Sequence, residues 1–175
     1  MRAPDVAIGG EASTELTFEQ LVRDHSAAVY RVARAIVRDH ALAEDVTQDT
    51  LIKAWRALPR FRGESSLRTW VLRIANNTAI SMLRRRREEL RPPWSLSILS
   101  KEDSASAVER SMVMEQFSNS LAELDPSSRA IVVLREVEGM TYEDIAAVLN
   151  LSIPTVRTRL FRARRALANS LEAWR

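Results

Sequence analysis

The stretch RTRLFRARR at residues 157–165 contains five arginines among nine residues and no acidic residue. Arginine neutralises phosphate and can also bind guanine through two parallel N–H donors. Threonine hydroxyls, here at Thr155 and Thr158, bond to base edges or to phosphate. A solvated helix face is the alternative, but such a face normally mixes charges of both signs. The composition therefore favours duplex nucleic acid as the ligand.

The spacing of apolar residues predicts that a helix positions these side chains. One apolar stripe runs from Val156 to Leu167 at about 100° per residue. The candidate contact residues on the opposite and flanking positions are Thr155, Arg157, Thr158, Arg159, Phe161, Arg162, Arg164 and Arg165. The shorter segment YEDIAAVL and the turn NLS precede this helix. This order predicts a helix-turn-helix, whose second helix enters the major groove.

Two further segments carry charges that a partner could bind. The basic cluster RRRREELR lies at residues 84–91, on a chain whose net charge is only +3, so contact with a polyanion is indicated at two places. Asp45 and Asp49 form an i,i+4 pair with Gln48 beside them, and all three share one side of a helix. No histidine or further acid completes a metal shell there, so an exposed helix face is indicated.

Composition and capping signals predict an all-α fold. The chain has 4 Gly and 6 Pro and is rich in Ala, Leu, Arg and Glu. A second helix is predicted from about Ala41 to Pro59, and a third from about Leu67 into the basic cluster. Helix starts are predicted at Thr17 with Gln20, Asp125 with Pro126, Thr141 with Asp144, and Ser152.

Pro92 and Pro93, followed by a serine-rich stretch, interrupt the helical pattern and predict a flexible linker. We therefore predict two small helical domains that are flexibly joined in the free protein. The predicted division is a disordered leader at 1–13, a first domain at 14–90, a linker at 91–108 and a second domain at 109–175.

Several classes of function are disfavoured. The absence of cysteine excludes disulfides and thiolate sites, and the two histidines are isolated in the sequence. No phosphate-binding glycine loop and no set of nucleophile, base and acid indicates an enzyme, so we expect neither catalysis nor a cofactor. No apolar run reaches the roughly 20 residues that cross a bilayer, and the N-terminus lacks a signal-peptide core, which predicts a cytoplasmic protein.

A dimeric transcription regulator is one alternative that these features leave open. It would use only the C-terminal helix-turn-helix, and residues 16–90 would form a sensing or dimerising domain with a ligand pocket.

Three segments in order resemble the extracytoplasmic-function (group IV) sigma factors of bacterial RNA polymerase. They are AEDVTQDTLIKAW, FRGESSLRTWVLRIANNTAISMLRRRRE, and the stretch from LAELDPSSRA to RARRAL. The resemblance covers nearly all of residues 16–171. It implies that the two domains are sigma domains 2 and 4, which recognise the minus-10 and minus-35 promoter elements. Pro154 departs from the family pattern, which more often has glycine before TV.

The resemblance also implies partners and roles for particular residues. Core RNA polymerase would be bound at the clamp helices of its largest subunit, through Asp45, Gln48, Asp49 and Lys53, and at its flap. Minus-10 recognition and melting would involve Arg62, Gly63, Glu64, Ser65, Ser66, Trp70, Asn76, Asn77, Arg84, Arg85 and Arg87. Trp70 is either a strand-separating aromatic or a core residue, and its spacing to Ile74 favours the core. The eight positions Thr155 to Arg165 named above would contact the minus-35 duplex.

The resemblance finally implies how the protein is controlled and where it acts. An anti-sigma factor is the expected inhibitor, covering the polymerase-binding faces of both domains. The protein would associate with the nucleoid in the holoenzyme. It would not insert into a membrane itself, although an anti-sigma factor could hold it there.

Overall fold

The computed structural model describes residues 16–89, 121 and 123–172, with side chains at all of these positions except 89 and 170–172. The predicted leader and linker, and most of the helix predicted before Asp125, lie outside these residues. The described residues form helices and connecting turns without a strand. The predicted all-α class is thus confirmed.

Six α-helices follow one another along the described chain. They are α1 (Phe18–Val37), α2 (His40–Ala57), α3 (Leu67–Glu89), α4 (Pro126–Val132), α5 (Tyr142–Leu149) and α6 (Ile153–Glu172). A 3-10 turn at Leu58–Arg60 follows α2, and a π-helical segment at Val133–Val137 extends α4. Helices α1–α3 form the first domain, and α4–α6 form the second.

Most of the predicted helix starts are confirmed by capping geometry. The Gln20 N–H donates to the Thr17 hydroxyl at 3.2 Å, and the Thr17 N–H donates to the Gln20 side chain at 2.8 Å, which is a complete capping box. Asp125 caps α4, whose first residue is Pro126. Helix α2 begins at His40, one residue before the predicted start, because the Asp39 carboxylate accepts from the Leu42 N–H at 2.9 Å.

The box predicted at Thr141 forms only in part. The Thr141 hydroxyl accepts from the Asp144 N–H, as expected, but the Asp144 carboxylate accepts from that hydroxyl rather than from the Thr141 N–H. Aspartate is one methylene shorter than the glutamate or glutamine of a complete box. The other oxygen of Asp144 accepts instead from the hydroxyl of Thr69, on α3 of the first domain, at 3.1 Å.

Apolar stripes hold each domain together. In the first domain, buried residues of α1 pack against α2 and α3, with Leu21, Val32, Val46, Val71 and Leu72 essentially inaccessible to solvent. In the second domain, the predicted stripe of α6 is buried from Val156 to Leu167. Each large side chain that is fully buried contributes about 1.5 to 3 kcal/mol, so these stripes fix which helix faces remain outside.

The two domains contact each other in the structure, while the linker that is predicted to join them flexibly lies outside the described residues. Helix α1 contacts α4 and the π-helical segment, and α3 contacts α5. The buried apolar side chains of both domains form one continuous cluster. Arg129 of α4 crosses the boundary, since its Nε donates to the Ala35 carbonyl at 2.5 Å and its Nη2 to the Ile36 carbonyl at 3.1 Å.

We predict that Asp39→Asn lowers stability at neutral pH and leaves it unchanged in acid. The hydrogen bond from Arg86, with a second from the Leu42 N–H, holds the pKa of Asp39 below its ordinary value. A depressed carboxylate pKa stabilises the fold above the unfolded pKa of about 3.9, and that stability is lost as pH falls through the folded pKa. Asparagine retains a capping oxygen but no charge.

Urea unfolding of both proteins between pH 3 and pH 7 tests this prediction. The free energies of unfolding should differ at pH 7, and the difference should shrink as pH falls below the unfolded pKa of about 3.9 and vanish below the folded pKa. A difference that is constant with pH would show that the charge of Asp39 does not stabilise the fold.

Candidate nucleic-acid interface

The outward face of α6 presents most of the predicted contact residues. Thr158, Phe161, Arg162 and Arg165 are exposed together with Arg157 and Arg164, while Thr155 and Arg159 are half-buried. Phe161 is 66% exposed among these arginines. Aromatic rings usually bury much of their surface, so this exposure marks a residue that is available to a partner.

The turn before α6 positions the helix through hydroxyl groups. The Ser152 hydroxyl accepts from the Thr155 N–H at 3.4 Å, and the two hydroxyls lie 2.7 Å apart. Pro154 lies in the first helical turn, where a backbone N–H has no acceptor within the helix. The absence of an N–H from proline therefore costs no helical hydrogen bond. Thr158 donates its hydroxyl hydrogen to the Pro154 carbonyl at 2.9 Å, which leaves its oxygen lone pairs as acceptors.

Three of the five arginines have partners elsewhere in the same domain. Arg164 donates to one Glu136 oxygen from Nε at 2.9 Å and from Nη2 at 2.6 Å, and these hydrogen bonds raise its pKa. Arg159 lies 3.9 Å from the Asp125 carboxylate.

Arg157 has an aromatic partner. Its guanidinium lies 5.4 Å from the centre of the Tyr142 ring. Among the described residues, Arg162 and Arg165 form no ion pair with an acid. The sequence did not identify Glu136, Asp125 and Tyr142 as partners of these arginines, because all three lie outside the basic stretch. Arg162 and Arg165 are therefore the arginines most available to an added ligand.

The acidic face of α2 is exposed, as predicted. Asp45 and Gln48 are exposed, whereas Asp49 pairs with Lys53 at 2.7 Å. Val46 and Leu51 are buried beneath this face. Ile52, which the sequence analysis did not single out, is 43% exposed and lies three residues after Asp49 and four after Gln48. The face thus combines an apolar centre with acidic and amide neighbours.

Four of the predicted minus-10 residues line two different grooves. Asn76, Asn77 and Arg84 line a groove of about 430 Å³ together with Ile80 and Ser81, and its far wall is formed by Ser127, Leu149 and Asn150 of the second domain. Arg85 lies instead in a groove of about 400 Å³ between α2 and α3, together with Asp45. Arg87 is exposed near the end of α3.

The loop before α3 is built around its capping residue. Ser66 accepts from the Thr69 N–H at 3.0 Å, and Gly63 has a φ of +71° that favours glycine. Arg62 and Glu64 project into solvent, while Ser65 is half-buried. Trp70 is half-buried, packs against the core, and has its ring centre 5.1 Å from that of Phe61.

Two other kinds of site receive no support within the described part of the chain. No cluster of three or more histidines or acids that could hold a metal ion occurs there. None of the described helices is both long and apolar enough to cross a membrane.

Two sections of the chain match known protein families. Residues 21–89 match Sigma-70 region 2, and residues 114–167 match Sigma-70, region 4. The RNA polymerase sigma-H factor of Pseudomonas aeruginosa is 36% identical over 170 residues, which cover 89% of this chain and 86% of that protein. The ECF RNA polymerase sigma-E factor of Escherichia coli is 38% identical over 141 residues, or 73% of each chain.

Two solved structures share the fold. The sigma factor RpoE from Bartonella quintana, in complex with the anti-sigma factor NepR, aligns with a TM-score of 0.73 at 29% identity, covering 90% of this chain and 98% of RpoE. CnrH, in complex with the cytosolic domain of CnrY, aligns with a TM-score of 0.64 at 31% identity, covering 89% of this chain and 88% of CnrH.

Two helical domains, one of them a basic helix-turn-helix, define a DNA-binding transcription protein. The family matches are more specific, and this chain belongs to the sigma-70 family, in its extracytoplasmic-function group. It is therefore a transcription initiation factor that directs RNA polymerase to promoters. The match to region 2 covers the residues that a dimeric regulator would use for sensing or dimerisation.

Proposed function

We propose that this sigma factor recognises the minus-35 duplex through the outward face of α6. The observation that carries the proposal is that Arg162, Arg165 and the exposed Phe161 share a helix face opposite a buried stripe. Arginine binds guanine or phosphate, and a phenyl ring contacts the thymine methyl group.

We also propose that the first domain performs docking and promoter opening. The acidic face of α2 binds the clamp helices of the largest polymerase subunit, and Ile52 supplies an apolar contact at its centre. The amides of Asn76 and Asn77 bind bases of the melted minus-10 strand, and Arg84, Arg85 and Arg87 bind phosphates upstream. The second domain contacts the polymerase flap.

An anti-sigma factor is the proposed inhibitor. One structural relative, RpoE, was solved in complex with an anti-sigma factor, and the exposed α2 face gives an inhibitor a surface to bind in competition with polymerase. The sigma factor then acts in the cytoplasm, at the nucleoid, whenever it is released from this partner.

We predict that Arg162→Ala and Arg164→Ala affect minus-35 binding differently. Arg162 is unpaired within the described domain and faces outward, so its loss should cost roughly 1 to 3 kcal/mol and relax discrimination at one base pair. Arg164 lies later in the helix, where phosphate is the expected ligand. Its loss should weaken all sequences about equally and reduce the salt slope by about 1.

The measurement uses holoenzyme and duplexes randomised over the minus-35 window, from which bound sequences are recovered and ranked. Affinities for the selected and scrambled duplexes are then measured across a range of salt concentrations. Glu136→Gln is a useful control, because it releases Arg164 from its ion pair without removing the arginine. Equal losses by both alanine variants on both duplexes, with equal changes in salt slope, would refute the division of roles.

A further inference from the structure

The hydroxyl of Thr158 has one hydrogen, and the fold already uses it. Thr158 lies on the outward face of α6, and its Oγ1 donates this hydrogen to the Pro154 carbonyl at 2.9 Å. A hydroxyl group offers one hydrogen and two acceptor lone pairs. With its hydrogen on Pro154, Thr158 can accept a hydrogen bond from a ligand but cannot donate one.

The position of Thr158 in the helix favours the bond to Pro154. The two residues are four positions apart, and α6 is helical from Ile153 onwards. Threonine has few rotamers in an α-helix, and one of its two preferred rotamers brings Oγ1 to the carbonyl four residues earlier. The Thr158 oxygen therefore has a defined place beside the first turn of α6.

This place lies on the part of α6 that would approach base edges. Residues near the N-terminal end of a recognition helix contact the bases in a helix-turn-helix. Phe161 and Arg162 follow Thr158 by three and four residues, and all three side chains are exposed. Side chains at these spacings are neighbours on a helix. Thr158 thus lies beside the two residues that are proposed to enter the groove.

The loss of the donor excludes most of the DNA groups that a threonine can bind. Phosphate oxygens are acceptors, and so are guanine O6 and N7, adenine N7 and thymine O4. The donors that the major groove presents are the exocyclic amino groups, which are N4 of cytosine and N6 of adenine. A hydroxyl oxygen that can only accept is therefore complementary to cytosine or adenine.

The hydroxyls of Ser152 and Thr155 differ from that of Thr158 in this respect. Their oxygens lie 2.7 Å apart, so one of their two hydrogens lies between them. The second hydrogen is not needed for that bond and can be donated to a phosphate oxygen. The first turn of α6 thus retains a donor for the DNA backbone, whereas Thr158 retains only acceptors.

We propose that Thr158 determines specificity by accepting a hydrogen bond from the amino group of a cytosine or adenine in the minus-35 duplex. The proposal rests on the recognition of that duplex by α6 proposed above. Guanine or thymine at the same place on the same strand presents a carbonyl oxygen to the Thr158 oxygen. The hydroxyl would then have to turn away from Pro154 in order to bind the base.

The expected preference is moderate in size. Turning the hydroxyl gives up one hydrogen bond, which corresponds to a factor of about three to ten in affinity. The loss is no larger, because in an α-helix the Pro154 carbonyl still accepts the backbone N–H of Thr158. Cytosine and adenine should therefore be favoured about three- to tenfold over guanine and thymine, at one position on one strand.

Base analogues that lack the amino group test the proposal. The minus-35 sequence is the one that native holoenzyme selects from randomised duplexes. Each cytosine on either strand is replaced in turn by 2-pyrimidinone, and each adenine by unsubstituted purine. Affinities are measured with holoenzymes of the native chain, Thr158→Val and Thr158→Ser. Valine keeps the shape and a methyl group without a hydroxyl, whereas serine keeps the hydroxyl. Thr158 is exposed, so both variants should fold like the native chain.

At one position, removal of the amino group should weaken binding of the native chain and of Thr158→Ser about three- to tenfold more than binding of Thr158→Val. The comparison between proteins cancels any weakening of the base pair itself. Equal losses for the native chain and Thr158→Val at every position would overturn the proposal. A loss shared by the native chain and Thr158→Val but absent from Thr158→Ser would also overturn it, because the methyl group would then make the contact.

Repeating the selection with Thr158→Val and with Arg162→Ala separates this inference from the proposed function. Each variant should relax the selected sequence at one position. If only Arg162→Ala relaxes it, the role of Thr158 is wrong and recognition by α6 stands. If neither variant changes the selected sequence, recognition by α6 is itself contradicted.

Discussion

Asp45→Arg combined with Asp49→Arg should weaken binding to core polymerase by roughly 100-fold or more. The two substitutions reverse the charge of an exposed face that is proposed to meet basic residues, and like charges in contact cost several kcal/mol across an interface. Neither side chain is buried, so the fold should tolerate the change. Asp49→Arg also removes the ion pair with Lys53 and increases the local positive charge.

Competition against a labelled sigma factor for core polymerase measures this effect, with circular dichroism as the folding control. Glu19→Arg with Asp24→Arg is a matched variant, because it makes the same charge change on exposed acids of α1. That control should bind within a few-fold of the native chain. If both double variants lose the same affinity, net charge rather than the α2 face determines binding.

Apolar and electrostatic contacts at this face are expected to contribute differently to polymerase binding. Ile52 is exposed despite its apolar side chain, and its position next to Gln48 and Asp49 on this face makes it the natural contact for an apolar partner residue. The affinity of an interface typically depends on a few residues that become buried on binding. Charges at its rim mainly affect the association rate. The acidic residues and Ile52 are therefore expected to contribute in different ways.

Features that depend on neighbouring residues could be predicted from the sequence. The capping box at Thr17 and Gln20 and the start of α4 at Pro126 depend on residues at most three positions apart. The buried stripe of α6 follows from its helical period. Each of these is a local property of the chain, so a linear pattern contains the information needed.

Features that depend on distant residues could not be predicted. Glu138 meets Arg31 and Arg68 at sequence separations of 107 and 70 residues, and Arg164 meets Glu136 at a separation of 28. No periodicity links such positions. The π-helical segment at Val133–Val137 also departs from the 3.6-residue period, so the directions of Glu136 and Glu138 could not be deduced from a regular helix.

The contact between the two domains could not be predicted from the sequence either. A proline pair and serines indicate where a chain leaves a helix, but they give no information on whether the domains before and after it attract each other. That attraction arises from apolar residues on faces that each domain leaves uncovered, and from polar groups such as Arg129. The family resemblance identified both domains without specifying this contact.

Arg129→Met should lower the free energy of unfolding of the whole chain by roughly 2 to 4 kcal/mol. The guanidinium donates to the carbonyls of Ala35 and Ile36 at the end of α1, and to that of Leu124 in its own domain. Burial lowers the pKa of Arg129 to about 10, so the group remains charged at neutral pH. A cation at this place also interacts favourably with the α1 dipole.

Two opposing effects determine the size of this loss. Methionine removes the cost of burying a charge, but it leaves three carbonyl oxygens without their donor, at about 1 to 3 kcal/mol each. The second effect is larger, because two of those oxygens end a helix whose last residues are buried. Arg129→Lys should cause an intermediate loss, since an ammonium group lacks the planar fork that reaches several acceptors.

Urea unfolding is followed by circular dichroism and by tryptophan fluorescence. The two signals together distinguish a loss of stability in one domain from a loss of stability in both. All the proteins compared carry Trp94→Phe and Trp174→Phe, so the remaining tryptophans, Trp55 and Trp70, lie in the first domain, whereas Arg129 belongs to the second. If the hydrogen bonds from Arg129 to α1 couple the domains, the midpoints of both transitions should shift to lower urea concentration for Arg129→Met. Arg73→Met, on the exposed side of α3, should shift neither. A fluorescence transition that stays unchanged while the circular dichroism shifts would show that Arg129 stabilises only its own domain, and the Ala35 and Ile36 contacts would then have no measurable role in joining the two.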